Sequence, residues 1–214
     1  MPFDCKQNCA AIVLVLIFVI GIGYPLHGDV LDPENANEAR LNRLQPPQQV
    51  MDAIGIVPGM KVAEIGAGRG RYVVQLAVRV GKSGMVYAED INSRSLKHLE
   101  RRCKRWGLDQ VRVILGQEND PELPEGELDL IFIISSYHHF DDPVALLGRA
   151  RKALKPGGRL AIVEWLPFEN GQESYPSPRL IRTQMEAADY RFLGTDSLLK
   201  NNNLMIYLFS RGGD

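Results

Sequence analysis

Val62-Ala63-Glu64-Ile65-Gly66-Ala67-Gly68-Arg69-Gly70-Arg71 is a short apolar run that opens into three glycines at alternate positions. Such a stretch reads as a buried strand, a tight turn and the start of a helix, with the glycines letting the backbone come close to a ligand. The spacing is G-x-G-x-G, whereas the dinucleotide fingerprint is G-x-G-x-x-G/A, and Arg71 stands where that fingerprint needs a small residue. Glu64 lies two residues before the first glycine. A carboxylate there repels a pyrophosphate and suits a ligand that carries an ammonium and a sulfonium.

Outward from this loop the chain alternates strand and helix. Hydrophobic periodicity predicts helix over 35–54, broken at Pro46-Pro47, then a strand over 60–65 and a helix over 71–80. A strand over 85–88 precedes a helix over 93–106, with Leu96, Leu99, Cys103 and Trp106 on one side. Strands follow at 111–115 and 128–134, the latter a continuous apolar run of the kind covered on both faces. Helix is expected over 143–154, stopped by Lys155-Pro156-Gly157-Gly158, and a fifth strand over 159–164. Five strands separated by helices predict a doubly wound, Rossmann-like α/β sheet that is mostly parallel. The tail differs. After a helix over 178–188, runs at 190–194 and 204–209 leave no room for a crossover helix, so they should pair antiparallel and complete a seven-stranded sheet.

Asp90 ends the second strand, twenty residues after Gly70, where a carboxylate can accept from both hydroxyls of a ribose. Alternation turns the neighbouring Glu89 to the opposite face, which favours Asp90 for this role.

The stretches 62–70, 86–90, 128–134 and Leu154-Lys155-Pro156-Gly157-Gly158-Arg159-Leu160 together resemble the successive motifs of class I S-adenosylmethionine-dependent methyltransferases. The resemblance is to the broad small-molecule branch that includes quinone-biosynthesis enzymes, and it runs from about residue 40 to the C-terminus. It implies S-adenosyl-L-methionine as cofactor and a small-molecule methyl acceptor. It carries the methionine-holding role onto Glu64, Gly66, Ala67, Gly68 and Gly70, and the ribose-holding role onto Asp90. Where the family often has an acid facing the adenine amine, this chain has Gln117, with Glu118 beside it; Ser135 ends the fourth strand at the same crevice.

The fourth strand runs into Ser135-Ser136-Tyr137-His138-His139-Phe140. Displacement of a methyl group from a sulfonium needs mainly alignment, but a hydroxyl or carbon nucleophile also wants a base. Tyr137, His138 and His139 are therefore the catalytic candidates, and the two histidines lack a third ligand that would make a metal site. Asp141 or Asp142, before Pro143, is expected to cap the next helix.

The net charge of −1 gives no overall footprint for nucleic acid, and the strand-four end lacks the Pro-Pro-Tyr segment that resembles base-amine methyltransferases. Arg94, Lys97, Arg101, Arg102, Lys104 and Arg105 give the 93–106 helix a basic face, expected to be solvated or to meet anionic lipid. No charge interrupts residues 9–26, and 12–20 is wholly apolar, which predicts a signal peptide or membrane anchor within residues 1–28 ahead of a domain over 29–214. That segment allows membrane association or export, with the side of the membrane open. Two other functions fit less of the sequence: a catalytically silent cofactor-binding module and a nicotinamide-dependent oxidoreductase.

Overall fold

The computed structural model describes residues 32–167 and 175–213. The apolar segment read as a signal peptide or anchor lies outside the described residues. Seven strands form one sheet: β1 (Lys61–Ile65), β2 (Met85–Asp90), β3 (Val111–Leu115), β4 (Leu128–Ile134), β5 (Leu154–Trp165), β6 (Tyr190–Asp196) and β7 (Leu204–Arg211). Their order is β3-β2-β1-β4-β5-β7-β6. The first five run parallel, and β7 lies between β5 and β6, antiparallel to both. The doubly wound sheet with an antiparallel last strand is thus the observed fold. Strand order reverses at β1 and β4, which is where open α/β sheets leave a ligand crevice at the carboxyl ends of the strands.

The helices are α1 (Ala36–Leu44), α2 (Pro47–Ala53), α3 (Val73–Val80), α4 (Ser93–Trp106), α5 (Pro143–Ala150) and α6 (Pro178–Ala187). One buried face of the sheet packs Val62, Leu130 and Phe132 against Val50, Tyr72, Leu76 and Leu99. The other packs Ile65, Ile131 and Ile162 against Leu146, Ile181 and Met185. Alternating side chains of β4 supply both cores, which explains its unbroken apolar run.

Several boundaries differ from the periodicity. The α5 helix stops at Ala150, followed by a 3-10 turn over Arg151–Ala153, and Leu154 already pairs with Leu128. Proline disfavours the helical conformation at the residue before it, so Lys155 cannot extend the helix and the Lys-Pro-Gly-Gly run becomes an irregularity within β5. Asp142 is the cap of α5, its carboxylate accepting from the Ala145 N–H at 2.9 Å. Asp189 takes the left-handed backbone (φ 63°) that closes α6. The Gly212 N–H donates to its carbonyl at 2.9 Å, and Arg151 pairs with its carboxylate at 3.0 Å. These contacts hold an acid at a position that favours glycine.

The basic face of α4 is not uniformly solvated. Arg102 is 1% exposed and donates to both oxygens of Glu38 on α1, at 2.8 and 2.9 Å, while Glu34 accepts from His98 and Arg105. Trp106, expected on the apolar side, is 41% exposed. The guanidinium of Arg102 therefore clasps the N-terminal helix onto the domain. Truncating one partner of a buried pair strands the other charge, so Glu38→Ala should lower unfolding free energy by about 3 kcal/mol. Urea denaturation should show much of that loss restored in Glu38→Ala/Arg102→Met, which has no stranded charge.

Candidate active site

The glycine loop crosses from β1 to α3 with Gly66, Gly68 and Gly70 all at positive φ (77°, 55° and 85°). Their surroundings differ. A Cβ on Gly66 would lie 2.6 Å from the Ser136 side chain, and one on Gly70 would run into Leu99. Gly70 thus faces the packing with α4, while Gly68 meets nothing within 4 Å and presents its backbone to open space. Ala67 is buried, and its N–H donates to the Glu89 carbonyl at 2.8 Å.

Asp90 fastens this loop to the end of β2. One carboxylate oxygen accepts from the Gly68 N–H at 2.7 Å and the other from the Asn92 N–H at 2.8 Å. A cavity of about 360 Å³ opens here, bordered by Gly66, Gly68, Glu89, Asp90, Gln117, Glu118, Ser135 and His139. Ile91, 59% exposed, gives its rim an apolar surface. Gln117 turns its amide toward Glu122, donating at 2.6 Å, so its side-chain oxygen is the group left for a ligand amine. Ser135 accepts from Gln45 Nε2 at 2.6 Å.

Glu64 is buried beneath the loop, and its Oε2 has no hydrogen-bond partner. Burial pushes its pKa up to about 8, against the pull of Arg71 and with a smaller push from Asp90. Glu89, expected to turn away, also borders the cavity: alternation holds along the strand, but at its end both residues reach the crevice. Burial, then the Asp90 charge, raises Glu89 to about 8, while the Gly66 N–H works the other way. Buried carboxyls kept from ionising, one with an oxygen unsatisfied, suit a cationic group of a ligand. These residues fit S-adenosylmethionine: Glu64 for its ammonium, Asp90 for its ribose hydroxyls and Ile91 for a flat apolar base.

The three catalytic candidates face different ways. Tyr137 is 2% exposed and donates its hydroxyl to Gln184 Oε1 on α6 at 2.8 Å, which takes it away from the histidines' polar edges. His139 borders this cavity and packs against His138 at a tilt, with ring centroids 4.0 Å apart. His138 Nδ1 lies 3.0 Å from Glu164 Oε2, and Glu164, at the end of β5, is fully buried. Another cavity of about 420 Å³ is lined by His138 itself with Tyr137, Phe140, Pro143, Tyr175 and Leu180. Glu164 and Gln45 are site residues that the sequence pattern does not single out. Glu164 ends an apolar strand, a signal that the strand-end rule alone could have found. Gln45 has none, because its partner is ninety residues away. Among the described residues no His, Cys, Asp and Glu side chains group as a metal site.

The Glu64 carboxyl ionises near 4.5 when unfolded and near 8 when folded. Between those values the folded state holds an extra proton, so this group's contribution to stability falls as pH rises through the window. Glu64→Gln should therefore raise apoprotein stability at pH 8 by about 2 kcal/mol and flatten its pH dependence. Cofactor binding at pH 7 should also release more proton from wild type than from Glu64→Gln, read by calorimetry in buffers of different ionisation enthalpy.

A methyltransferase-domain family model matches residues 62–158. The chain is 30% identical over 120 residues to the nocamycin O-methyltransferase of Saccharothrix syringae, covering 56% of this chain and 43% of that one. It is 28% identical over 147 residues to the ubiquinone/menaquinone biosynthesis C-methyltransferase of Cupriavidus taiwanensis, covering 65% and 60%. The chain thus spans about half the length of the curated relatives it matches. Among solved structures, a SAM-dependent methyltransferase from Aquifex aeolicus superposes with TM-score 0.73 at 25% identity, over 84% of this chain and all of that one. Geranyl diphosphate C-methyltransferase from Streptomyces coelicolor shares the fold, with TM-score 0.66 at 18% identity over 85% and 88%. The family model, these relatives and the Aquifex aeolicus structure together support a class I S-adenosylmethionine-dependent methyltransferase.

Proposed function

We propose that this chain transfers a methyl group from S-adenosylmethionine to a small-molecule acceptor whose nucleophile is a hydroxyl or an acidic carbon. Asp90 carries the cofactor half of this reading, because one carboxylate both closes the glycine loop and borders the cavity. Bound there, the cofactor would supply an activated methyl group on its sulfonium. The sheet order supports the acceptor half. β4 lies beside β1 and β5 beside β4, with His138 in the turn that follows β4 and Glu164 near the carboxyl end of β5.

Glu164 accepts from the His138 N–H at 3.2 Å as well as meeting its ring, and its other oxygen accepts from the Trp165 N–H at 2.8 Å. A fully buried carboxylate opposite Nδ1 favours the tautomer with the proton on Nδ1. The Nε2 lone pair is then the basic site, able to take the acceptor's proton as its oxygen or carbon attacks. Glu164 acts as a positioning residue that also steadies the imidazolium formed. His139 packs His138 in place. Relatives named as an O-methyltransferase and a C-methyltransferase are consistent with an acceptor that must lose a proton. The near-neutral charge supports a small molecule over nucleic acid. The uncharged stretch over 9–26 supports export or membrane anchoring of the domain.

Methyl-labelled S-adenosylmethionine and a panel of phenols, quinols and β-dicarbonyl compounds test this reading. His138→Asn should lower kcat roughly 100-fold while the affinity for S-adenosylhomocysteine holds. Glu164→Gln should also lower kcat while that affinity holds, because the ring loses its positioning carboxylate. Full activity of His138→Asn would remove the histidine from the chemistry. No transfer to any of these acceptors would remove the acceptor class.

A further inference from the structure

The outward side of α4 carries charge that the fold does not use. At about 100° per residue, Arg94, Lys97, Arg101, Lys104 and Arg105 share a sector of about 100°, and the helix's one acid, Glu100, falls outside it. All five are exposed. Glu34 meets Arg105 at 3.2 Å. The other four have no ion-pair partner among the described residues. Helix physics does not account for them. Lys97 and Arg101, like Arg101 and Arg105, are equal charges four residues apart, a spacing that weakens a helix. Arg94 stands in the first turn, where the helix dipole disfavours a cation.

The chain enters the domain along one edge of this sector. Glu34, directly before the cap of α1, accepts from Arg105 and His98. The uncharged stretch over 9–26 ends eight residues before Glu34. An extended chain spans at most about 3.6 Å per residue, so the Arg105 end of α4 stays within roughly 30 Å of that stretch. The opposite end of α4 starts two residues after Ile91, which stands on the rim of the cavity beside Asp90. The basic sector thus runs from the entry of the N-terminal chain to the mouth of the cavity.

We propose that this face of α4 rests on an anionic lipid bilayer, with the uncharged N-terminal stretch as its tether. This rests on the anchoring reading above and adds to it the surface of the domain that meets the membrane. Each Lys or Arg close to an anionic surface strengthens attachment about fivefold, and a row of four unpaired cations meets such a surface together. An apolar segment and a basic patch are the two signals that combine into stable attachment. A nucleic-acid duplex would offer phosphates to the same row, but it has no counterpart for the uncharged stretch. Docked in this way, the domain brings its cavity rim at Ile91 beside the lipid, within reach of an acceptor dissolved in the membrane.

The test reads which face of the full-length chain lies against lipid. With Cys5→Ser and Cys9→Ser in place and Cys103 buried, a dye is attached through Lys97→Cys on α4 or Glu186→Cys on α6, across the sheet. Vesicles of phosphatidylcholine, alone or mixed with phosphatidylglycerol, carry a quencher on their headgroups. Quenching of the dye at 97 should rise about fivefold or more on adding the anionic lipid, and molar salt should reverse the rise. The dye at 186 should not respond. Adding Arg94→Gln/Arg101→Gln/Lys104→Gln to the Lys97→Cys protein should abolish the rise, with an unchanged circular dichroism spectrum as the check on folding. Equal quenching of the two dyes, or quenching at 97 that ignores lipid charge, overturns the proposal and leaves the anchoring reading intact. Full-length protein that associates with neither vesicle overturns both. Binding of a nucleic-acid duplex through the same cations, without a response to anionic vesicles, assigns the face to nucleic acid and also overturns the proposal.

Discussion

The Asp90 carboxylate stands at the junction that the site depends on, accepting from Gly68 on one side and from Asn92 on the other. The first bond fixes the glycine loop against the end of β2. The second closes the chain toward α4, whose own cap is the Asn92 side chain accepting from Arg94 and Ser95. Each of these donors would otherwise be an unpaired N–H at a strand end or helix start. The carboxylate that organises the loop is also the group exposed to the crevice, so fold and ligand recognition share one side chain.

A cost comes with that arrangement. Glu64, Glu89 and Asp90 crowd three carboxyls around one loop, and burial, with the Asp90 charge behind it, keeps Glu64 and Glu89 from ionising near neutrality. A core selected only for stability would not place acids there. Their presence is intelligible as unsatisfied binding capacity for a cationic ligand, which restores favourable electrostatics when it arrives. The cation that could have neutralised Glu64 internally, Arg71, is tied to Asn42 and Gln45 instead. Stability is supplied elsewhere, by the two apolar cores and by the Arg102–Glu38 pair that fastens α1.

Much of this was legible in the residue order. The β4 run with apolar residues on both faces, the alternate glycines and the short tail without a crossover helix determine the sheet, because each reports a local backbone requirement. What the sequence hid was long-range. The insertion of β7 between β5 and β6 depends on how a whole strand docks, not on its own pattern. Arg102 reads as one more surface charge on α4 until Glu38 is brought beside it. Glu164 meets His138, and Gln45 meets Ser135, only after the chain has folded. Glu89 was misplaced because strict alternation was carried one residue too far, to the point where the strand opens into a crevice.

The account stands or falls on what occupies the cavity between the glycine loop and Asp90. Equilibrium titration of the protein with S-adenosylhomocysteine, in wild type and in Asp90→Ala, tests it most directly. The account predicts micromolar binding to wild type and at least a roughly 10-fold loss in the variant, since a charged acceptor of hydroxyl hydrogen bonds is removed. Failure of folded wild type to bind, or equal binding by both proteins, would contradict it.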